Sequence, residues 1–224
     1  MEPLPSISQA SMWQMFQENE EEEDTWWWAD RAPPASIHTL RGELWKEAPP
    51  DVMLQAVVNI GGEITEGHLI QLVTPAWSKI VDLMLTDPQN MYQLDWRAWE
   101  ELVAGGYSQL GFDEVILTPR SGDKGRDVIA TLHGVGSIRI IDQVKRYSPG
   151  NPVPANDVRA LIGVLSMDPR ASKGVITATS SFAPGVYADA DIQRLTPTRL
   201  ELRSGESLFN WLKAARDQRK NLKA

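Results

Sequence analysis

The chain has 224 residues, no Cys and three scattered His. These exclude a disulfide framework, a thiolate metal site and a Cys nucleophile, and leave a His-rich zinc site unsupported. The formal net charge of −8 is uneven: residues 1–90 carry 15 Asp and Glu against 4 Lys and Arg, and residues 91–224 carry 15 against 18, so the acidity belongs to the first part and the mildly basic remainder is compatible with phosphate binding.

Residues 1–50 read as a largely irregular, acidic and Trp-rich extension. "ENEEEED" is a charge block expected to stay solvated, or else to imitate DNA charge and cover a basic face. "TWWWAD" follows it, and "RAPPAS" and "EAPPD" are Pro-broken linkers. Three adjacent Trp cannot share one face of a helix or strand. They are expected to pack against the chain's own body or a sister subunit, or to anchor a partner. The start "MEPLPSISQ" lacks the basic n-region and apolar run of a secretory signal. No apolar stretch approaches the ~18 residues of a membrane span. A cytoplasmic protein with no membrane partner is expected.

Residues 51–90 form a helical or mixed connecting region. "DVMLQAVVNI" is apolar and fits either a helix or a strand. In "GHLIQLVTPAWSKIVDLMLTDP" the second half has helical spacing at Trp77, Ile80, Val81 and Met84, and Pro88 ends it. The next helix is "LDWRAWEELVAGGYSQLGF", with Asp95 as N-cap. Its apolar stripe is Trp96, Trp99, Leu102 and Val103, flanked by Glu100 and Glu101. Gly105 and Gly106 weaken a helix interior by up to ~1 kcal/mol each, which points to close packing there. Gly111 is the expected C-terminal stop.

Three strands follow: "FDEVILTPR", "RDVIATL" after the turn "SGDKG", and "SIRIIDQVKRY" after "HGVG". His133, in the second turn, is expected to be inert, and Asp123 to be a turn residue. The loop "SPGNPVP" leads to a helix capped by Asn156 or Asp157, with Val158, Leu161, Ile162 and Leu165 on its apolar face. "SKGVITATSSF" reads as a buried strand. "RLELRSG" is the last strand and "ESLFNWLKAARDQRK" a closing amphipathic helix. From residue 95 the order is α-β-β-β-α-β-β-α, an α/β (α+β) fold with a mixed central sheet flanked by helices.

Strand alternation puts Ile141, Gln143 and Lys145 on one face of "SIRIIDQVKRY", and Asp142, Val144 and Arg146 on the other. Asp127 comes level with Gln143 and Lys145 if the two strands pair antiparallel. An Asp127 carboxylate, a Gln143 carbonyl and the Val144 backbone C=O are then three hard oxygen ligands of the kind Mg²⁺ prefers. Lys145 beside them is suited to orienting a water or stabilising charge on a phosphate. The bland alternative is a polar hairpin with its charges in solvent. Lys124, Arg126, Arg146 and Arg159 are candidate phosphate contacts, each alone also readable as a solvated charge. Thr177, Thr179 and Ser180 are expected to pack or hydrogen-bond beside the site.

The run "WEELVAGGYSQLGFDEVILTPRSGDKGRDVIA", with "IIDQVKRY", "NDVRALIGVL" and "SKGVITATSSFAPG", resembles the catalytic domain of Mrr-like restriction endonucleases in the PD-(D/E)xK nuclease superfamily. The resemblance covers about residues 95–190 of an expected nuclease domain at 91–224. It implies a restriction-endonuclease-like α-β-β-β-α-β core. It also implies that Glu100, just after the aromatic Trp99, is a catalytic and metal-binding helix Glu, and that Asp127 in "GDKGRD" is the metal-binding Asp. Gln143 and Lys145 stand as the Gln-x-Lys form of the superfamily's acid-x-Lys. Expected from it are Mg²⁺ (or Mn²⁺) as cofactor, DNA as substrate and a role in restricting foreign DNA. The alternatives are a structure-selective nuclease of repair or recombination and a catalytically silent DNA-binding subunit of a defence complex. A homo-oligomer or a defence-system partner is expected to engage the Trp-rich region. Residues 1–90 are acidic and Trp-rich where the family usually carries a winged-helix DNA-reading domain.

Overall fold

The computed structural model describes residues 58–73, 75–92, 94–119 and 125–222. The acidic block, the Trp run, Asp123 and Lys124 lie outside the described residues. Among those described, the elements run β1 (Val58–Ile64), β2 (Gly67–Val73), α1 (Pro75–Thr86), a 3-10 turn (Pro88–Tyr92), α2 (Trp96–Gln109), β3 (Glu114–Leu117), β4 (Val128–His133) and β5 (Ser137–Lys145). They continue with α3 (Ala155–Met167), β6 (Lys173–Ala178), α4 (Pro184–Ala188), α5 (Ala190–Leu195), β7 (Leu200–Ser204) and α6 (Gly205–Leu222).

The strands lie side by side in chain order in one mixed sheet. β1 to β5 form an antiparallel meander, and β6 and β7 run parallel to β5. Parallel neighbours need a crossover: α3 carries the chain from β5 to β6, and α4 with α5 from β6 to β7. The last two helices were not expected from the sequence. They have 5 and 6 residues, too short for a 3.6-residue period to register. The ambiguous apolar run at 51–60 ends in strand β1, whose hairpin with β2 joins the same sheet through His68↔Leu117 and Leu69↔Ile116.

Two apolar layers cover the sheet. On one face α1, α2 and α6 bury Trp77, Ile80, Met84, Trp99, Leu102, Leu208 and Leu212 against Val115, Leu117, Val128 and Ala130. On the other, α3 and the α4–α5 segment bury Val158, Leu161, Val186 and Ile192 against Ile141, Ile176 and Ala178.

Helix α2 is central, and every residue from Ala98 to Tyr107 is buried. The Asp95 side chain accepts the Ala98 amide at 2.7 Å, so the expected cap is present. Trp96 departs from the expected stripe at 46% exposure; as the first helical residue it precedes the embedded run. Glu100 and Glu101 are buried rather than flanking. The paired glycines have a steric reason. A Cβ on Gly105 would overlap the Trp77 indole, and one on Gly106 the Trp211 ring, so glycine lets two Trp side chains lie flat on the helix backbone. Helix α3 begins earlier than expected. Its N-cap is Pro154, with no side-chain cap bond, and Asp157 sits inside the first turn, where a carboxylate complements the helix dipole.

Candidate active site

Strands β4 and β5 pair antiparallel with Val128 opposite Asp142, and Asp127 immediately precedes β4 at that end of the pair. Two bonds fix Asp127 there: its amide donates to the Asp142 carbonyl at 3.1 Å, and its carboxylate accepts the Val144 amide at 2.7 Å. Gly125 has φ +73°, a turn conformation suited to glycine. A Cβ there would lie 3.3 Å from the Gln143 amide nitrogen and 3.5 Å from Val164, so the turn before Asp127 folds closely over Gln143.

The Gln143 side-chain oxygen is buried and accepts no hydrogen bond. Such an atom carries an uncompensated desolvation cost of roughly 1–3 kcal/mol, and a cation would remove it. The donors here are oxygens only: the Asp127 carboxylate, the Gln143 amide oxygen and main-chain carbonyls. This set fits a hard ion such as Mg²⁺, which keeps water and substrate oxygens in the rest of its shell. Among the described residues no three His, Cys, Asp or Glu side chains stand together as a ready cation cluster. An ion here would therefore rely on amide and main-chain oxygens as well as on carboxylates, rather than on a cluster of three acidic side chains.

Glu100 reaches this neighbourhood from α2. Arg97 donates to Glu100 at 2.7 Å and to the Thr118 carbonyl at 3.2 Å. The Thr118 amide donates to the Asp127 carbonyl at 3.1 Å, and the Thr118 hydroxyl bonds the Arg126 carbonyl. Arg97 thus ties Glu100 to the strand end that carries Asp127 while partly neutralising it; it also lies 3.6 Å from Glu101.

Lys145, two residues beyond Gln143, holds its ammonium 3.6 Å from the Asp157 carboxylate at the start of α3. Tyr147 donates to the same carboxylate at 2.8 Å, and this bond chiefly raises the Tyr147 pKa. Thr179 accepts the Tyr147 amide and donates to its carbonyl. Lys145, Tyr147 and Asp157 therefore form one positioned group at the carboxyl end of β5.

Behind Gln143, Asp142 faces the α2–α6 side and is fully buried. One of its oxygens accepts from Tyr107 at 2.8 Å, from Thr177 at 3.0 Å and from Arg203 at 3.3 Å, and the other has no partner. Burial pushes this carboxyl up to about 7, against the opposing pull of Arg203. The Arg203 guanidinium is itself sandwiched 4.2 Å above the Trp211 ring. Nothing local in the sequence marks this network, because its members sit on four different elements.

The other candidate cations are spread out. Arg126 lies 3.6 Å from Glu66 and 3.7 Å from Asp168. Arg146 donates to the Tyr92 carbonyl at 3.1 Å. Arg159 is held by Asp189 at 2.6 Å and by Asn156 at 2.8 Å. His133 shares a 3.2 Å hydrogen bond with Ser137 on the β4–β5 hairpin. Glu66, Arg139, Asp168 and Arg170 were not anticipated. They meet Arg126 beside a cleft of about 550 Å³ walled by Val164, Met167 and Pro169. No described helix is long and apolar enough to cross a membrane.

The model of the Mrr_cat restriction endonuclease family matches residues 91–212. The uncharacterized protein y4cE of Sinorhizobium fredii (strain NBRC 101917 / NGR234) is 28% identical over 111 residues, which is 49% of this chain and 28% of that protein. Two solved structures share 19% identity over 67% of this chain. The DNA modification-dependent restriction endonuclease AspBHI has a TM-score of 0.39 and is covered over 39% of its length. The MspJI restriction endonuclease in complex with a 27-mer oligonucleotide has a TM-score of 0.41 and is covered over 33%. The chain thus spans only 28% of its curated relative's length.

Proposed function

This chain belongs to the restriction endonuclease family whose model spans residues 91–212, and on that premise we propose that it is a Mg²⁺-dependent endonuclease that hydrolyses DNA phosphodiester bonds and restricts foreign DNA in the cytoplasm. The observation that carries this reading is the buried, unpartnered Gln143 oxygen on the strand whose next residue, Val144, tethers the Asp127 carboxylate. A polar hairpin with no ligand to hold would gain by turning that amide to solvent or by replacing it with an apolar residue.

In this reading Asp127, Gln143, the Val144 carbonyl and Glu100 would hold the ion. Bound there, Mg²⁺ supplies charge stabilisation at the phosphate and lowers the pKa of a water. Asp127 is kept in place from both sides by β5, so it need not reorganise on substrate arrival. Arg97 positions Glu100 and moderates its charge. Lys145 supplies a positive charge on the same strand face as Gln143 and offsets the negative charge that grows on the phosphate oxygens. In the free protein Asp157, itself bonded by Tyr147, is the anion beside that ammonium. The scissile phosphate, being the stronger anion, competes with Asp157 for it. Arg126, Arg146, Arg159 and Lys124 are assigned to the DNA backbone, with affinity expected to fall as salt rises.

Incubating the full chain with supercoiled plasmid, methylated or unmethylated, in Mg²⁺ or in chelator tests the proposal. Metal-dependent nicking or linearisation of either plasmid is expected, and intact plasmid under every condition would refute it.

A further inference from the structure

Glu66 lies in the turn between β1 and β2, and one of its oxygens meets three guanidinium groups. It accepts from Arg139 and from Arg170 at 2.7 Å each, and Arg126 stands 3.6 Å away. Three guanidinium groups converging on one anionic oxygen is an arrangement suited to phosphate, whose oxygens take charge-assisted N–H bonds from arginine forks. Asp168 is the other carboxylate present, and it is a poor partner. Its carboxylate is 3.7 Å from each of the three guanidinium groups, too long for hydrogen bonds, and its Oδ1 instead accepts the Arg170 main-chain amide at 3.0 Å. Its buried Oδ2 and the Arg139 Nε accept and donate none.

The cluster lies beside the candidate active site. Arg126 immediately precedes Asp127. The cleft it lines with Arg170 is bounded by Val164, which with Gln143 closes around Gly125. At about 550 Å³ the cleft is within the range of small-ligand sites. Its apolar wall of Val164, Met167 and Pro169 is suited to a sugar or base, and Arg170, with 64% of its side chain exposed, stands at the rim.

We propose that Arg126, Arg139 and Arg170 form a subsite for a DNA phosphate that flanks the cleaved one, and that the Glu66 carboxylate fills this subsite until DNA displaces it. The inference rests on the reading of the chain as a DNA nuclease, but its test does not require cleavage.

The test is fluorescence anisotropy of a labelled DNA duplex with the full chain in chelator, over roughly 50 to 300 mM salt, where each phosphate contact contributes about 0.9 to the slope of log affinity against log salt. Glu66→Gln keeps the side chain's size and removes its charge. It is expected to tighten binding several-fold at low salt and to steepen the slope by about one contact. Arg170→Gln is expected to weaken binding and to make the slope shallower by about one contact. In the double variant the gain from Glu66→Gln should largely vanish. A folded Glu66→Gln protein with wild-type affinity and slope overturns the proposal, as does a chain that binds no DNA. Should Glu66→Gln fail to fold, the exposed Arg170 decides alone, and a wild-type slope in Arg170→Gln overturns it. A chain that shows these shifts yet never cleaves plasmid keeps the subsite and loses the nuclease reading.

Discussion

The Asp127 carboxylate accepts the main-chain amide of Val144 at 2.7 Å across the β4–β5 pair. This bond uses part of the carboxylate's capacity and none of its charge. Asp127→Asn retains an oxygen acceptor for Val144, so its melting temperature without metal should stay within a few degrees of wild type. A ligand that binds only the folded state stabilises it by RT ln(1 + [L]/Kd). Adding MgCl2 should therefore raise the wild-type melting temperature and leave the variant's unchanged. An equal rise in both would remove Asp127 from the ion site.

Lys145 shares Asp157 with Tyr147, so truncating it leaves Asp157 bonded and α3 anchored. Lys145→Ala is expected to cleave DNA more slowly by on the order of 10²–10³, the range for losing one preorganised electrostatic donor, while binding DNA about as tightly as before. Single-turnover cleavage at wild-type speed would exclude Lys145 from the chemistry.

Glycine-to-alanine changes inside a helix usually stabilise by up to about 1 kcal/mol. At Gly106 the sign reverses, because the added methyl collides with the Trp211 ring, and overpacking costs typically 1–3 kcal/mol. Gly106→Ala should lower the chemical-denaturation midpoint. A stabilised variant would mean that Trp211 moves aside at little cost.

Asp142 titrates near 7 when folded against an ordinary value of 3.8. The folded state therefore holds a proton that the unfolded chain releases between these values. The stability this proton confers is full below about 3.8 and is lost as pH rises to about 7, at a limiting slope of about 1.4 kcal/mol per pH unit. Asp142→Asn removes this titration. The stability of wild type minus variant, measured by urea unfolding, should fall between pH 4.5 and pH 7 and level off above it. A constant difference across that range would show that Arg203 keeps Asp142 ionised throughout.

Much of the sheet was legible because its signals are local. The β4–β5 hairpin follows from two alternating strands about a Gly-rich turn, and the Asp95 cap and the Gly105–Gly106 pair follow from neighbours in sequence. The tie of Asp127 to β5 at Asp142 and Val144 belongs to the same hairpin, since antiparallel register is set by the turn. The rest depends on distant partners. Glu66 meets Arg139 and Arg170 across separations of 73 and 104 residues, which no spacing rule reaches. Glu100 and Glu101 are expected on the flank of the apolar stripe, with Glu100 also expected at the site, and their burial is not foreseen because nothing near them in sequence discloses that α2 is covered on every side. Asn156 or Asp157 was expected to cap α3, but the chain turns into the helix earlier, at Pro154, leaving the Asp157 carboxylate for Tyr147 and Lys145.

The central claim is that Asp127 and Gln143 together hold an ion on which DNA hydrolysis depends. It is tested most directly by following supercoiled plasmid with wild type, Asp127→Asn and Gln143→Ala over a MgCl2 titration. The account predicts that wild type converts plasmid to nicked or linear forms only when Mg²⁺ is present, that Asp127→Asn does not cleave, and that Gln143→Ala needs more Mg²⁺ for any remaining cleavage. Cleavage by wild type undiminished in chelator, or cleavage by Asp127→Asn at the wild-type rate and Mg²⁺ requirement, would contradict it.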